Sequence, residues 1–210
     1  VNTITIIDYG MGNLRSVAKA IEHVGHRAVV TADANLIHSA DRLILPGVGA
    51  FRDAIARLKE LGLDDTIRDY HATGRPLLGI CLGLQLLFEQ SEEEGLHQGL
   101  GILQGDVVRF PVMMSSVPGE SLKVPHMGWN ELDIIRPAPI LVGLPPRPSV
   151  YFVHSYYVRP KDESVIATKT DYGISFTSMI WKDQLFASQF HPEKSQRVGL
   201  SMLQRFAEFG

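Results

Sequence analysis

The stretch Pro76-Leu77-Leu78-Gly79-Ile80-Cys81-Leu82-Gly83-Leu84-Gln85 constrains this chain more than any other. A short apolar run, long enough for one buried strand, becomes a helical pattern at Cys81, with Gly79 and Gly83 flanking it. That is the layout of a nucleophile elbow, G-x-S-x-G with Cys in the Ser place. A nucleophile on a strained turn stands clear of the sheet, and side chains at the flanking positions would block the turn or the substrate. The helix that follows points its N-terminus at the sulfur and favours thiolate over thiol. A lone cysteine in an arbitrary protein is more often a small buried hydrophobe. The nucleophile reading therefore needs a base and an oxyanion site elsewhere in the chain.

The elbow belongs to a repeated pattern. Ile4 to Ile7 reads as a buried strand, and Ala28 to Val30, Arg42 to Leu45 and Leu77 to Ile80 as further strands. Between them, Asn13 to Val24 carries Leu14, Val17, Ala18, Ile21 and Val24 at helical spacing, with Gly25 where a helix would end. Phe51 to Leu61, closed by Gly62, and Asp64 to Ala72 are further helices, and Leu84 to Glu89 is the expected helix after the elbow. Strands alternating with helices imply a parallel sheet with helices on both faces. The second half differs. Leu103 to Phe110, Glu131 to Ile135, Ser149 to Val153, Val165 to Thr170, Ile174 to Ile180 and Leu185 to Phe190 read as closely spaced strands, hence antiparallel hairpins. Gln196 to Phe209 is the last helix; Pro137 to Pro148, with five prolines, reads as a loop, and Pro111 to Leu122 as the least ordered stretch. No boundary divides the 210 residues, so one domain, 1–210, is expected.

Composition narrows the function classes. A hydrophobic content of 45% supports a real core, and a net charge of -3 offers no nucleic-acid surface. One cysteine excludes an internal disulfide, and neither C-x-x-C nor H-E-x-x-H suggests a metal. No run approaches membrane-spanning length and the first residues lack a signal-peptide pattern, so a cytoplasmic setting is expected.

Of eight histidines, His23, His26, His38, His71 and His97 read as surface residues, whereas His126, His154 and His191 lie at or near strand ends. His191 stands out in Gln189-Phe190-His191-Pro192-Glu193-Lys194-Ser195, between the last strand and the last helix. Pro192 keeps His191 out of the α region, and Glu193 is placed to return to the imidazole and hold its tautomer. A strand-end histidine alone is usually structural, and a carboxylate at a helix start is common; downstream of an elbow the pair gains weight. An oxyanion donor is expected from Pro46-Gly47-Val48-Gly49, whose glycines let the backbone turn an N–H toward developing charge, with Leu82 N–H as the second. Such a loop could also cradle phosphate, but it lacks the Lys-Ser/Thr of a P-loop. Asp8-Tyr9-Gly10-Met11-Gly12-Asn13 has the same ambiguity, with Asn13 as a helix cap.

Gly79 to Gln85, Pro46 to Gly49 and His191-Pro192-Glu193 together resemble the class I, or triad, glutamine amidotransferases. Asp8 to Leu14, Lys123-Val124-Pro125-His126-Met127-Gly128-Trp129-Asn130, Tyr151 to Tyr156 and Phe190 to Ser195 resemble, more narrowly, the glutaminase subunits of imidazole glycerol phosphate synthase. The likeness runs from Ile4 to Phe209. It implies a three-layer α/β fold with a mostly parallel central sheet and an antiparallel extension. It implies Cys81 as nucleophile, His191 as acid and base, Glu193 as its orienter, and Val48 and Leu82 N–H groups as oxyanion donors. Gly49, Gln85, backbone groups around Ser155 and Tyr156, and Glu93 would hold L-glutamine, although Glu93 sits in a charge run that is usually just solvated. No cofactor or metal is implied. Ammonia would pass to a (β/α)8-barrel cyclase in a heterodimer docked on Asn13, Trp129, Tyr151 and Lys194. The resemblance also implies that a peptide of the Gly47–Gly49 loop rests turned away from the oxyanion position.

Three alternatives stay open at this stage: a glutaminase of the same fold feeding another synthase, a non-catalytic subunit, and a cysteine hydrolase or peptidase. The Met-Gly-Asn-Leu and Met-Gly-Trp-Asn segments argue against the first, and the retained Cys81, His191 and Gly47–Gly49 loop against the second. Gln85 and Glu193 argue against the third.

Overall fold

The computed structural model describes residues 1–111 and 122–210. The stretch from Pro111 to Leu122, expected to be least ordered, lies almost wholly outside the described residues. Strands β1 (Thr3–Ile7), β2 (Arg27–Thr31), β3 (Leu43–Leu45) and β4 (Leu77–Ile80) alternate with helices α1 (Leu14–His23), α2 (Ala34–Ser39), α3 (Phe51–Glu60), α4 (Leu63–Ala72) and α5 (Leu82–Leu86). Then follow β5 (Phe88–Ser91), β6 (His97–Gln98), β7 (Leu103–Arg109), β8 (His126–Glu131), β9 (Asp133–Ile134), β10 (Ser149–His154), β11 (Tyr156–Pro160), β12 (Ile166–Asp171), β13 (Ser175–Lys182), β14 (Leu185–Ser188) and α6 (Gln196–Glu208).

Among the described residues the main sheet has the order β2-β1-β3-β4-β14-β13-β11-β7-β5-β6, with β12 and β9 branching from β13. The first five strands are parallel, and β13, β11 and β7 extend them antiparallel. β8 and β10 form a separate antiparallel ribbon. The apolar runs of β3 and β4 have two buried faces because each face is covered. Leu43, Leu45 and Leu77 enter one core with Phe51, Leu58 and Ile67 of α3 and α4; Ile44, Leu78 and Ile80 enter the other with Val17 and Ile21 of α1 and Met202, Leu203 and Phe206 of α6. Each of these fully buried side chains is worth about 2 kcal/mol of transfer free energy. Asp53 in the first turn of α3 and Arg57 and Lys59 in its last turn complement the helix dipole.

The parallel half and its antiparallel extension agree with the sequence reading; several local expectations do not. The helix expected over Leu84 to Glu89 runs instead over Leu82–Leu86, and the chain then enters β5, which pairs with β7. Leu84, Leu86, Leu87 and Phe88 are all fully buried, so no polar face marks where helix gives way to strand. The strand expected from Glu131 to Ile135 is two strands, β8 and β9, and β8 begins at His126. The proline-rich loop contains a turn of 3-10 helix at Pro139–Leu141, whose Ile140 and Leu141 are buried. Asn13 occupies the N-cap position of α1, but its side chain makes no capping hydrogen bond.

Candidate active site

β3, β4 and β14 are neighbours in the parallel part of the sheet, and the segments after their carboxyl ends meet in one place. In such sheets ligands bind outside the carboxyl ends of the strands. The Pro46–Gly49 loop follows β3, Cys81 follows β4, and Gln189 to His191 follow β14.

Cys81 sits at φ 55, ψ -110, a strained conformation for a residue with a Cβ. Its backbone N–H donates to the Ser188 carbonyl at 2.7 Å, which carries the β4–β14 pairing one residue past the strand. The flanking glycines allow a close approach. A Cβ on Gly83 would lie 2.0 Å from the Leu45 carbonyl oxygen, and one on Gly79 would lie 3.1 Å from the Gly83 backbone. α5 can therefore start directly against β3 and β4 only without those side chains.

His191 follows from the far side. Its backbone N–H donates to the Tyr151 carbonyl at 3.0 Å, and its carbonyl accepts from Ser195 Oγ at 2.7 Å. Nδ1 lies 2.8 Å from Glu193 Oε1, and both side chains are 1% exposed. Glu193 thus returns to the imidazole as the two-residue spacing suggested. Nε2 makes no hydrogen bond, and neither does Glu193 Oε2. Burial works against the imidazolium, but Cys81 and then Glu193 outweigh it and push the His191 pKa up to about 10. A proton on His191 and a negative charge on the sulfur support each other. Burial, with Cys81 adding to it, keeps the Tyr9 phenol protonated, and Tyr9 Oη donates to the Pro46 carbonyl at 2.8 Å.

One cavity of about 240 Å³ is lined by Cys81, Leu82, Val48, His191 and every residue expected to hold the ligand: Gly49, Gln85, Glu93, Ser155 and Tyr156. Val153 and His154 complete it. Glu93 Oε2 accepts from Phe51 N at 2.9 Å, so this carboxylate caps α3 at the rim; burial pushes its pKa up and the cap opposes that. Gln85 donates through Nε2 to the Tyr156 carbonyl and to Gln189 Oε1, both at 3.1 Å.

The two N–H groups expected as oxyanion donors do not converge. Leu82 N–H, expected to be free, donates to the Gly47 carbonyl at 3.3 Å. The Gly47–Val48 peptide is trans, since among the described residues the sole cis bond is Val124–Pro125. A trans peptide points its N–H opposite to its carbonyl. Val48 N–H therefore faces away from α5.

Behind the cavity wall lies a polar chain that sequence reasoning did not connect. A carbonyl only accepts, so His154 Nδ1–H donates to Tyr156 O at 2.8 Å. His154 Nε2 then accepts from His126 Nδ1–H at 2.9 Å, and His126 Nε2 accepts from Asn130 Nδ2 at 3.2 Å. Each ring is used as a neutral tautomer. Burial accordingly lowers His126 to about 4 and His154 to about 3. Of the five histidines read as surface residues, His23 and His38 are exposed, His71 and His97 are half-buried, and the His26 side chain is only 8% exposed beside Glu208.

Trp129, Tyr151 and Lys194 adjoin one another on the outer face. Tyr151 and Trp129 are opposed across the β8–β10 ribbon with rings 6.1 Å apart, and Lys194 Nζ lies 5.9 Å from the Tyr151 ring. Trp129 is 49% and Met127 62% exposed. Asn13 is half-buried at the start of α1, which packs against the Pro192–Lys194 turn. Among the described residues there is no cluster of side chains suited to hold a metal, and no helix long and apolar enough to cross a membrane.

Comparison with known proteins agrees with this geometry. Residues 5–208 match the glutamine amidotransferase class-I family. The chain is 59% identical over 98% of its length to the imidazole glycerol phosphate synthase subunit HisH of Syntrophotalea carbinolica, of which 99% is covered. It is 55% identical to the subunit of the same name from Geobacter sulfurreducens, with 98% of each chain covered. A chain of the PurLQS structure from Thermotoga maritima shares the fold, with a TM-score of 0.75 at 15% identity, over 99% of this chain and 98% of that one.

Proposed function

This chain belongs to the class I glutamine amidotransferases, among the HisH subunits of imidazole glycerol phosphate synthase, and from that premise we propose that it hydrolyses L-glutamine and hands the ammonia to a cyclase subunit. The observation that carries the reading is the meeting of Cys81 and His191 in one small cavity, with Glu193 on the far nitrogen of the imidazole at 2.8 Å.

The chemistry runs as follows. The Cys81 thiolate, paired with the His191 imidazolium, attacks the side-chain amide carbon of glutamine. The tetrahedral oxyanion is held by Leu82 N–H and Val48 N–H, which requires the Gly47–Val48 peptide to turn over and release its carbonyl from Leu82. Glycines on both sides of Val48 make that turn inexpensive. As the carbon–nitrogen bond breaks, His191 Nε2 gives its proton to the leaving nitrogen and ammonia departs. The neutral imidazole then takes a proton from water, the hydroxide attacks the thioester, and glutamate leaves as thiolate and imidazolium are restored. Glu193 holds the imidazole in the tautomer this needs. Gly49, Gln85, Ser155 and Tyr156 hold the glutamine, with Glu93 near its amino group, and the cavity is of a size for one amino acid rather than a peptide.

The chain acts as a single domain in the cytoplasm and uses no cofactor. Its partner is a (β/α)8-barrel cyclase that docks on Trp129, Tyr151, Lys194 and Asn13 to form a heterodimer. With the ammonia the cyclase makes imidazole glycerol phosphate and an aminoimidazole carboxamide ribotide in histidine biosynthesis. An exposed Trp beside a Tyr and a Lys suits an interface hot spot. The test is Cys81→Ala. Glutamine-dependent synthesis by the complex should fall by about 10³ or more while ammonia-dependent synthesis persists. Retained glutamine hydrolysis would refute the reading.

A further inference from the structure

Gln189 is fully buried one residue past the end of β14. An apolar residue of similar volume would pack there without the cost of burying an amide. A buried amide is tolerated when both of its ends are satisfied, and here the partners have a defined order. The Tyr156 carbonyl can only accept, so Gln85 presents its amino group to it. The second hydrogen of that amino group reaches Gln189, so the Gln189 atom at 3.1 Å is its oxygen. The amino group of Gln189 is left facing Cys81 Sγ, at 3.7 Å. The backbone carbonyl of Tyr156, itself fixed by His154, thereby decides which end of the Gln189 amide meets the sulfur.

Among the described residues the sulfur also lies 4.0 Å from the Val153 carbonyl, and it faces the His191 imidazole whose proton it supports. A thiol can donate to that oxygen, whereas a thiolate is repelled by it. An N–H donor acts in the opposite sense and strengthens when its acceptor becomes charged. α5 is only five residues long, so few aligned peptides contribute a dipole at the sulfur, and a directed donor gains importance.

We propose that Gln189 is a positioning residue for the nucleophile: its side-chain N–H, oriented through Gln85 and the Tyr156 carbonyl, fixes the Cys81 sulfur and favours the thiolate. The inference deepens the function proposed above and rests on Cys81 being the nucleophile. The titratable groups facing the sulfur are His191 from the segment after β14, Tyr9 from the loop after β1, His154 from β10 and Glu93 across the cavity, and the substitutions below leave all four in place.

The test is alkylation of Cys81 by iodoacetamide across pH, followed by intact mass, in the full chain and in Gln189→Met, which keeps the volume and removes the donor. Alkylation of the variant should slow about tenfold at pH 7, and its pH profile should move up by about one unit. A role confined to packing would leave the profile in place. Should Gln189→Met fail to fold, as judged by its near-ultraviolet circular dichroism, Gln85→Leu carries the test. It frees the Gln189 amide to turn and should move the profile in the same direction by less. A reactive wild-type Cys81 whose profile is unchanged in the folded variant overturns the inference alone. A wild-type Cys81 that resists alkylation throughout overturns it together with the function it rests on.

Discussion

The turns after β3 and β4 are adjacent, and both rely on glycine, yet they are held in opposite ways. The turn after β4 is closed on every side. Gly83 lies against the Leu45 carbonyl and Gly79 against the backbone of α5, and Cys81 is fixed in a strained conformation between them. The turn after β3 is anchored at its base, where Tyr9 holds the Pro46 carbonyl. Gly47 is buried against Tyr9, Leu82 and Gly83, and the turn loosens only after it: Val48 is 38% exposed and Gly49 lies at φ +99. Backbone packing fixes the sulfur, whereas the neighbouring peptide is held on its Gly47 side by packing against Tyr9 and Leu82 and by one hydrogen bond, from Leu82 N–H to the Gly47 carbonyl, with its Val48 side exposed. Such a bond is worth about 1 kcal/mol net, so one better contact from a partner or ligand offsets its loss when that peptide turns. The proposed site thus combines a rigid nucleophile with an adjustable oxyanion donor.

Substituting each turn separates the two behaviours. Gly83→Ala carries the larger effect. Its new methyl overlaps backbone that cannot move without parting α5 from β3, and overpacking of this kind costs about 3 kcal/mol or more. A drop of roughly 10 °C in melting temperature is expected by calorimetry, with both glutamine- and ammonia-dependent synthesis impaired. Gly49→Ala is milder for the fold. Its methyl would meet only the flexible end of Met11, at 3.0 Å, but a positive φ strains any residue with a Cβ. That strain, about 1–2 kcal/mol, falls on the adjustable loop. Glutamine hydrolysis by the complex should fall about tenfold or more, with ammonia-dependent synthesis intact and a melting shift of a few degrees. Equal damage to stability by the two substitutions would erase the contrast between the turns.

Much of this site is legible in the sequence, because its parts are local. An apolar run that turns helical at Cys81 between two glycines, a Gly-Val-Gly after β3, and His191 two residues before Glu193 are each visible in a few letters. The structure joins them because β3, β4 and β14 are neighbours. Other parts have no local signature. α2 is six residues long with one buried side chain, Ile37, and too short to express a period; its remaining cue is Asp33, which caps Asn35 and Leu36. α5 and β5 are run together by an unbroken apolar stretch. The polar chain behind the cavity depends on Asn130, His126, His154, Gln85 and Gln189 meeting from β8, β10, α5 and the end of β14, a conjunction that spacing cannot express. A cue was present nonetheless: Gln189 is a polar letter at the end of an apolar strand, two positions before His191.

We propose that Cys81, His191 and Glu193 act as one unit on glutamine. The rate at which an electrophilic glutamine analogue adds to the protein, followed by intact mass at pH 7, tests it most directly. One adduct is expected, on Cys81, forming fastest in the wild type, about tenfold slower in Glu193→Gln, and about a hundredfold slower or more in His191→Ala. An adduct on another residue, or a His191→Ala variant labelled as fast as the wild type, would contradict it.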